Sequence, residues 1–147
     1  MFSKTCTSAI KACIYLAQNN TGSEKSGAKT IATSLALPEP FMAKILQQLV
    51  RFGVVSSSKG PNGGFHLTEA QLQTPLMRVV ELFDGLYIFE KCILDLPKCS
   101  SDQPCPLHPY YNQLKTDLSQ KLSEMSVAVS ASLPALISHN GKMNGEN

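Results

Sequence analysis

The chain has no apolar run long enough to cross a bilayer, which excludes a membrane-spanning helix. Its first residues lack the basic-then-apolar order of a secretory leader, because Lys4 and Lys11 interrupt the apolar positions between Met1 and Leu16. There is no Ser/His/Asp order with a nucleophile elbow, no GxGxxG after a strand and no HExxH, so a non-enzyme without a small-molecule substrate is expected. His66 and His139 have no obvious partner for chemistry. The cysteine count, five, is odd, and in a reducing compartment a disulfide scaffold is a poor organising principle. These absences together predict a cytoplasmic protein with no membrane partner.

A further absence is local. From Pro40 to Thr68 there is no acidic residue, while Lys44, Arg51 and Lys59 are present. Residues 1–68 carry seven bases against two acids, and residues 69–147 six bases against nine acids, so the formal net charge of +2 hides a basic first half. A like-signed surface of that kind attracts polyanions and releases counterions on binding.

With 43% hydrophobic residues, 147 residues suffice for one cored domain without staples. Ala9, Ile10, Cys13, Ile14, Leu16 and Ala17 recur at helical spacing until Asn19-Asn20-Thr21-Gly22 ends the run. Cys6 and Cys13 lie in this pattern and read as small core hydrophobes. Ala28 to Leu35 predicts a short second helix. A third runs from about Glu39 to Phe52, with Pro40 in its first turn and Gly53 as its stop. On a helical wheel Phe41, Met42, Ile45, Leu46, Leu49 and Phe52 share one side, and Lys44, Gln47, Gln48 and Arg51 the other. Val54 to Ser58 and Phe65 to Thr68 then read as the strands of a hairpin around Lys59-Gly60-Pro61-Asn62-Gly63-Gly64. Two short helices, a polar-faced helix and a hairpin make a winged helix-turn-helix.

That architecture has a chemistry. A helix that reads duplex DNA presents polar side chains from its first turns to base edges, which singles out Glu39, Pro40, Ala43, Lys44 and Gln47. Lys44 and Arg51 also suit phosphates. At the wing, Ser58, Lys59, Gly60, Pro61, Asn62 and Gly63 form a basic, glycine-rich tip whose backbone can approach phosphate closely.

After the wing, Leu76, Val79, Val80 and Phe83 predict a helix closed by Asp84-Gly85. Residues 86–109 form a loop whose prolines, Pro97, Pro104, Pro106 and Pro109, forbid a long regular element. It holds Cys92, Cys99 and Cys105, separated by six and then five residues, with His108 three positions after the last. Zinc usually takes closer CxxC pairs, whereas an iron–sulfur cluster, being a larger object, accepts wider loops. His108 is a candidate fourth ligand. Thiol–disulfide redox sensing and a zinc-stabilised interaction module are the alternatives these residues leave open. From about Tyr110, Leu114, Leu118, Leu122, Met125, Val129 and Leu133 step by four and three, as in a coiled-coil seam, which predicts a long dimerisation helix over 110–137. Residues 138–147 read as a disordered tail.

These motifs resemble the IscR-type transcription regulators, the group that also holds NsrR, across nearly the whole chain. The resemblance rests on Ala9-Ile10 to Leu16-Ala17, Ile31-Ala32 to Leu46-Gln47-Gln48-Leu49, Gly53-Val54-Val55-Ser56-Ser57, the wing from Lys59 to Phe65, Val79-Val80-Glu81 and the three spaced cysteines. It implies a bacterial homodimer that binds operator DNA, with a winged helix-turn-helix at each end of a pair of long helices. It also implies a [2Fe–2S] cluster on Cys92, Cys99 and Cys105. In some members a histidine after the third cysteine completes the set, which implies His108. In others a partner-subunit acid near the N-terminus serves, but here Thr7 and Ser8 stand in that place. The expected fold is mainly α with a small β-hairpin wing: a winged helix-turn-helix domain over 1–85, the cysteine loop over 86–109 and the dimerisation helix. The expected function is a repressor or dual regulator sensing iron–sulfur status, redox or nitric oxide, with a cluster-free regulator responding to thiol or cysteine metabolites as the alternative.

Overall fold

A computed structural model of the chain describes residues 1–132. Seven α-helices and one two-stranded antiparallel sheet follow in this order: α1 Lys4–Asn19, α2 Ala28–Ser34, α3 Glu39–Arg51, β1 Ser56–Ser58, β2 Gly64–His66, α4 Glu69–Leu72, α5 Leu76–Phe83, α6 His108–Glu124 and α7 Val127–Ala131. The expected mainly helical winged fold is what forms.

Each element of the N-terminal half has a local cause. Ser3 caps α1 by accepting from the amide of Cys6. Cys6, Ala9, Ala12, Cys13 and Leu16 line its buried face. Pro38 precedes α3, Pro40 sits in its first turn, and Met42, Ile45, Leu46 and Leu49 turn inward. At its end Gly53 takes φ +76°, and the Val54 amide returns to the Leu49 carbonyl at 2.9 Å, so the chain reverses into the wing. Burying these leucines and isoleucines contributes roughly 1.5–3 kcal/mol per side chain.

The wing strands pair Ser56 with His66, Ser57 with Phe65 and Ser58 with Gly64. They are a residue or two shorter than the sequence predicts. A third segment braces them: the Phe65 amide donates to Ser26 at 2.8 Å and the Ser26 amide to Phe65 at 3.1 Å.

The C-terminal half differs from expectation. The predicted continuous helix over 110–137 is, in its described part, two helices. The first starts earlier, at His108, and stops at Glu124; the second begins at Val127 under a Ser126 cap. Met125 adopts an extended backbone because its carbonyl accepts from the Leu76 amide at 2.9 Å, while the Val127 amide donates to Thr74 at 2.9 Å. The chain thus breaks to pair with the entry of α5 and then lays α7 against α1. Nor is the seam uniform. Leu122, Leu118 and Met125 pack on the winged-helix core, whereas Tyr110 and Leu114 are 77% and 55% exposed. Residues 133–137 of the expected helix and the expected tail over 138–147 lie outside the described residues. No helix of the described residues is long and apolar enough to cross a membrane.

Candidate metal centre and nucleic-acid interface

The loop between α5 and α6 opens with a short 3-10 turn over Leu86–Phe89 and continues as reverse turns closed by backbone bonds. Asp95 returns to Cys92, Cys99 to Leu96, Ser100 to Gln103, and His108 to Cys105, at 3.0–3.2 Å. Each candidate ligand therefore sits at a turn corner, and turns bring residues three apart within about 7 Å. The prolines keep the segment from straightening into helix or strand.

These corners converge. The Cys92, Cys99 and Cys105 sulfurs all lie within 4.8 Å of one another. Cys92 Sγ is 3.7 Å from Cys105 Sγ, and Cys99 Sγ is 3.2 Å from His108 Nδ1. The set thus falls into two pairs. Two thiolates bound to one tetrahedral ion through bonds of about 2.3 Å stand about 3.8 Å apart, so the Cys92–Cys105 pair already has the span one metal atom requires.

Backbone amides support the thiolates. Cys92 is pulled down to about 7, first by the Leu96 amide and then by the Leu94 amide, the latter 3.4 Å from the sulfur. Cys99 also accepts from an amide, that of Cys105 at 3.4 Å, which lowers it; burial, the hydrogen bond with Cys92 and the Cys105 charge outweigh that, so its thiol is pushed up. Three soft sulfurs, an imidazole and donors aimed at sulfur suit a thiophilic metal or an iron–sulfur core. A cavity of about 20 Å³ lies among them. By contrast Cys6 and Cys13 are fully buried, and their thiols are pushed up to about 12, Cys13 by burial and Cys6 by burial together with the Asp84 carboxylate. Both are core residues, as their helical positions predict.

The second surface is on α3 and the wing. Lys44, Gln47, Gln48 and Arg51 line one open groove of about 450 Å³ with Thr5 and Phe41. Glu39, Pro40, Lys44, Gln47 and Arg51 are exposed; Ala43 is half-buried between them. At the wing tip Lys59, Gly60, Pro61 and Asn62 are exposed, while Ser58 and Gly63 are half-buried in the turn. The Gly63 amide donates to the Gly60 carbonyl at 2.9 Å, closing that turn. A Cβ on Gly63 would stand 2.3 Å from the Ser58 carbonyl oxygen, so this turn requires glycine.

Three residues near these surfaces escaped the sequence reading. Thr5 borders the α3 groove, and Lys4 places its ammonium 5.5 Å from the Phe41 ring, which adds the start of α1 to the basic face. Lys115 lies buried beside the cysteines. Its signal was its position seven residues after His108, on the same face of one helix.

Comparison with known proteins agrees with this layout. A family model, Rrf2, iron-dependent transcriptional regulator, matches residues 2–131. A protein of Aquifex aeolicus that bears the name "Putative HTH-type transcriptional regulator" is 38% identical over 120 residues, 80% of this chain and 82% of that one. The fold is shared with CymR (YrzC), the global cysteine regulator of B. subtilis, at a TM-score of 0.73 and 17% identity over 91% of this chain and 98% of that one. It is shared also with T. potens IscR, at a TM-score of 0.65 and 20% identity over 88% and 84%.

Proposed function

This chain belongs to the Rrf2 family of iron-dependent transcriptional regulators, and from that premise we propose a homodimeric DNA-binding regulator that senses iron–sulfur status, redox or nitric oxide. Cys92, Cys99, Cys105 and His108 would hold a [2Fe–2S] cluster, Cys92 with Cys105 on one side and Cys99 with His108 on the other. The observation that carries this reading is the convergence of three sulfurs within 4.8 Å, next to an imidazole, in a chain that also exposes a basic reading helix. When bound, the cluster supplies reversible one-electron chemistry and lability to oxidants and nitric oxide.

The residues of the chain transmit the state of that loop. It begins where α5 ends and finishes at His108, the first residue of α6. Both helices pack on the winged-helix core, α5 through Leu76, Val79 and Val80, α6 through Leu118 and Leu122. Ordering the loop fixes the start of α6. Tyr110 and Leu114 there, with Ile93, Leu94 and Leu96 on the loop, leave an exposed apolar surface for a second copy. Loop order then sets the spacing of two reading helices on DNA, and a differential of roughly 1–3 kcal/mol suffices for a switch. Glu39, Pro40, Ala43 and Gln47 would face bases; Lys44, Arg51 and the wing residues Ser58 to Gly63 would hold backbone.

Anaerobic reconstitution followed by absorption spectroscopy and iron and sulfide analysis tests the cluster. Light scattering of the same sample tests the dimer, and selection from random duplexes tests DNA binding. A monomer that takes up no iron and retains no duplex defeats the proposal.

A second reading has its own support. Cys92, with its thiol near 7, stands 3.7 Å from Cys105, close enough for a disulfide after a small shift. A cluster-free thiol sensor, responsive to oxidants or thiol metabolites, would use that pair. Diamide treatment that links Cys92 to Cys105 and changes duplex affinity, in a chain that binds no iron, selects this reading.

A further inference from the structure

Lys115 is a lysine that the DNA surface does not use. It projects from α6 into the cysteine site and is only 6% exposed. With Cys92, Cys99, Cys105, His108 and Tyr111 it lines the small cavity between the sulfurs. Its Nζ donates to the Lys91 carbonyl, next to Cys92, at 3.1 Å and lies 5.0 Å from the Tyr111 ring centroid. Among the described residues it forms no ion pair. Glu90, on the rim of the same cavity, is exposed and lies outside salt-bridge distance. A carbonyl and an aromatic face soften the burial of an ammonium but do not neutralise it.

The missing charge is in the cavity itself. Three thiolates and a neutral imidazole leave a bound divalent ion, or an oxidised two-iron, two-sulfide core, with one net negative charge; a reduced core carries two. We propose that Lys115 is the built-in counter-ion of the Cys92–Cys99–Cys105–His108 site and a positioning residue for it. Its ammonium neutralises the loaded site, and its bond to Lys91 holds the entry to Cys92. The extra negative charge of the reduced form is the one it stabilises more, so it raises the reduction potential. The cluster part of this inference rests on the function proposed above; the thiolate charge does not.

The experiment compares full-length wild type, Lys115→Arg, Lys115→Gln and Lys115→Met, each confirmed folded by circular dichroism. Cobalt(II) affinity is read from the thiolate-to-metal absorption of the apo proteins. The potential is read by anaerobic titration of the reconstituted ones. Arg keeps charge and donor, Gln a donor only, Met neither. Gln and Met variants are expected to bind cobalt about tenfold more weakly. They are also expected to lose about tenfold in the reduced-to-oxidised ratio at the wild-type midpoint, about 59 mV for one electron. The Arg variant should stay with wild type on both readouts. Wild-type values in the Gln and Met variants overturn the proposal, as does an Arg variant that behaves like Met. A wild type that binds cobalt but no iron defeats the cluster reading alone, and cobalt affinity then decides the role of Lys115. A wild type that binds neither defeats both.

Discussion

Ser3 gives both its backbone amide and its hydroxyl to the Asp84 carboxylate, the amide at 2.8 Å. The pair joins residues 81 positions apart and ties the cap of α1 to the end of α5, where the cysteine loop begins. The carboxylate also meets the positive end of the α1 dipole, which favours it further. Asp84→Ala removes the acceptor of both bonds. It is expected to destabilise the chain by about 1–2 kcal/mol, as loss of a helix cap does, seen as a lower urea midpoint at unchanged m-value. Ser3→Ala removes the hydroxyl bond and the cap on the Cys6 amide but keeps the backbone amide bond to Asp84, and a similar loss is expected; the double variant should lose less than the sum, since the hydroxyl–carboxylate bond is common to both changes.

The loop cysteine Cys92 and the core cysteines Cys6 and Cys13 should lie at opposite ends of the reactivity order. Cys92, at about 7, is about half thiolate at neutrality and is expected to alkylate first. Cys6 and Cys13, near 12 and buried, should label only after unfolding. Timed iodoacetamide labelling with mass spectrometry checks the order. The same shifts make stability fall at high pH. Well below pH 9 both thiols are protonated in the folded and the unfolded chain. Between pH 9 and 12 the unfolded chain releases protons that the folded chain keeps, so ionisation favours unfolding, at a limiting slope of about 1.4 kcal/mol per pH unit for each thiol. Cys13→Ala should lower stability at neutral pH and flatten its decline between pH 9 and 11, measured by urea melts across that range.

How much of this the sequence disclosed depends on the range of the forces involved. The faces of α1 and α3 were legible because local periodicity decides which side is buried, and Leu46 and Leu49 are inside while Lys44 and Gln47 are out. The break at Met125 was not. The steps Leu118, Leu122, Met125, Val129 continue across it, and its cause is a backbone pairing with Thr74 and Leu76, far along the chain. The brace from Ser26 to the wing is hidden for the same reason. Helix α4 was missed although it carries a local mark, the reciprocal capping of Thr68 and Gln71. Cysteine spacing disclosed that three thiols share a loop; which sulfur meets the imidazole follows from the order of the turns.

The wing offers a test of geometry separate from charge. Gly64 takes φ +145°, and a Cβ there would stand 2.8 Å from the Ser26 carbonyl oxygen, in backbone that cannot swing aside. Gly64→Ala is expected to break the Ser26–Phe65 bonds and displace the hairpin, while the α1–α3 core stays folded. Hydrogen exchange should show lost protection at the Ser26 and Phe65 amides and native protection in α1. Duplex affinity should fall although no charge has changed.

Charge and base recognition separate by salt. If Lys44, Arg51 and Lys59 hold phosphates, each alanine variant weakens all duplexes alike and lowers the slope of log affinity against log salt by about 0.9 for each phosphate no longer neutralised. Gln47, exposed on the same face, has the amide that pairs with an adenine edge. Gln47→Ala should leave the salt slope unchanged and relax preference at one or two base positions, by about 1–3 kcal/mol. Affinities of the four variants for the selected duplex and for single-base changes in it, at several salt concentrations, make the comparison. A salt slope that falls with Gln47→Ala, or base preference that disappears with Lys59→Ala, would show that reading and holding are shared differently between α3 and the wing.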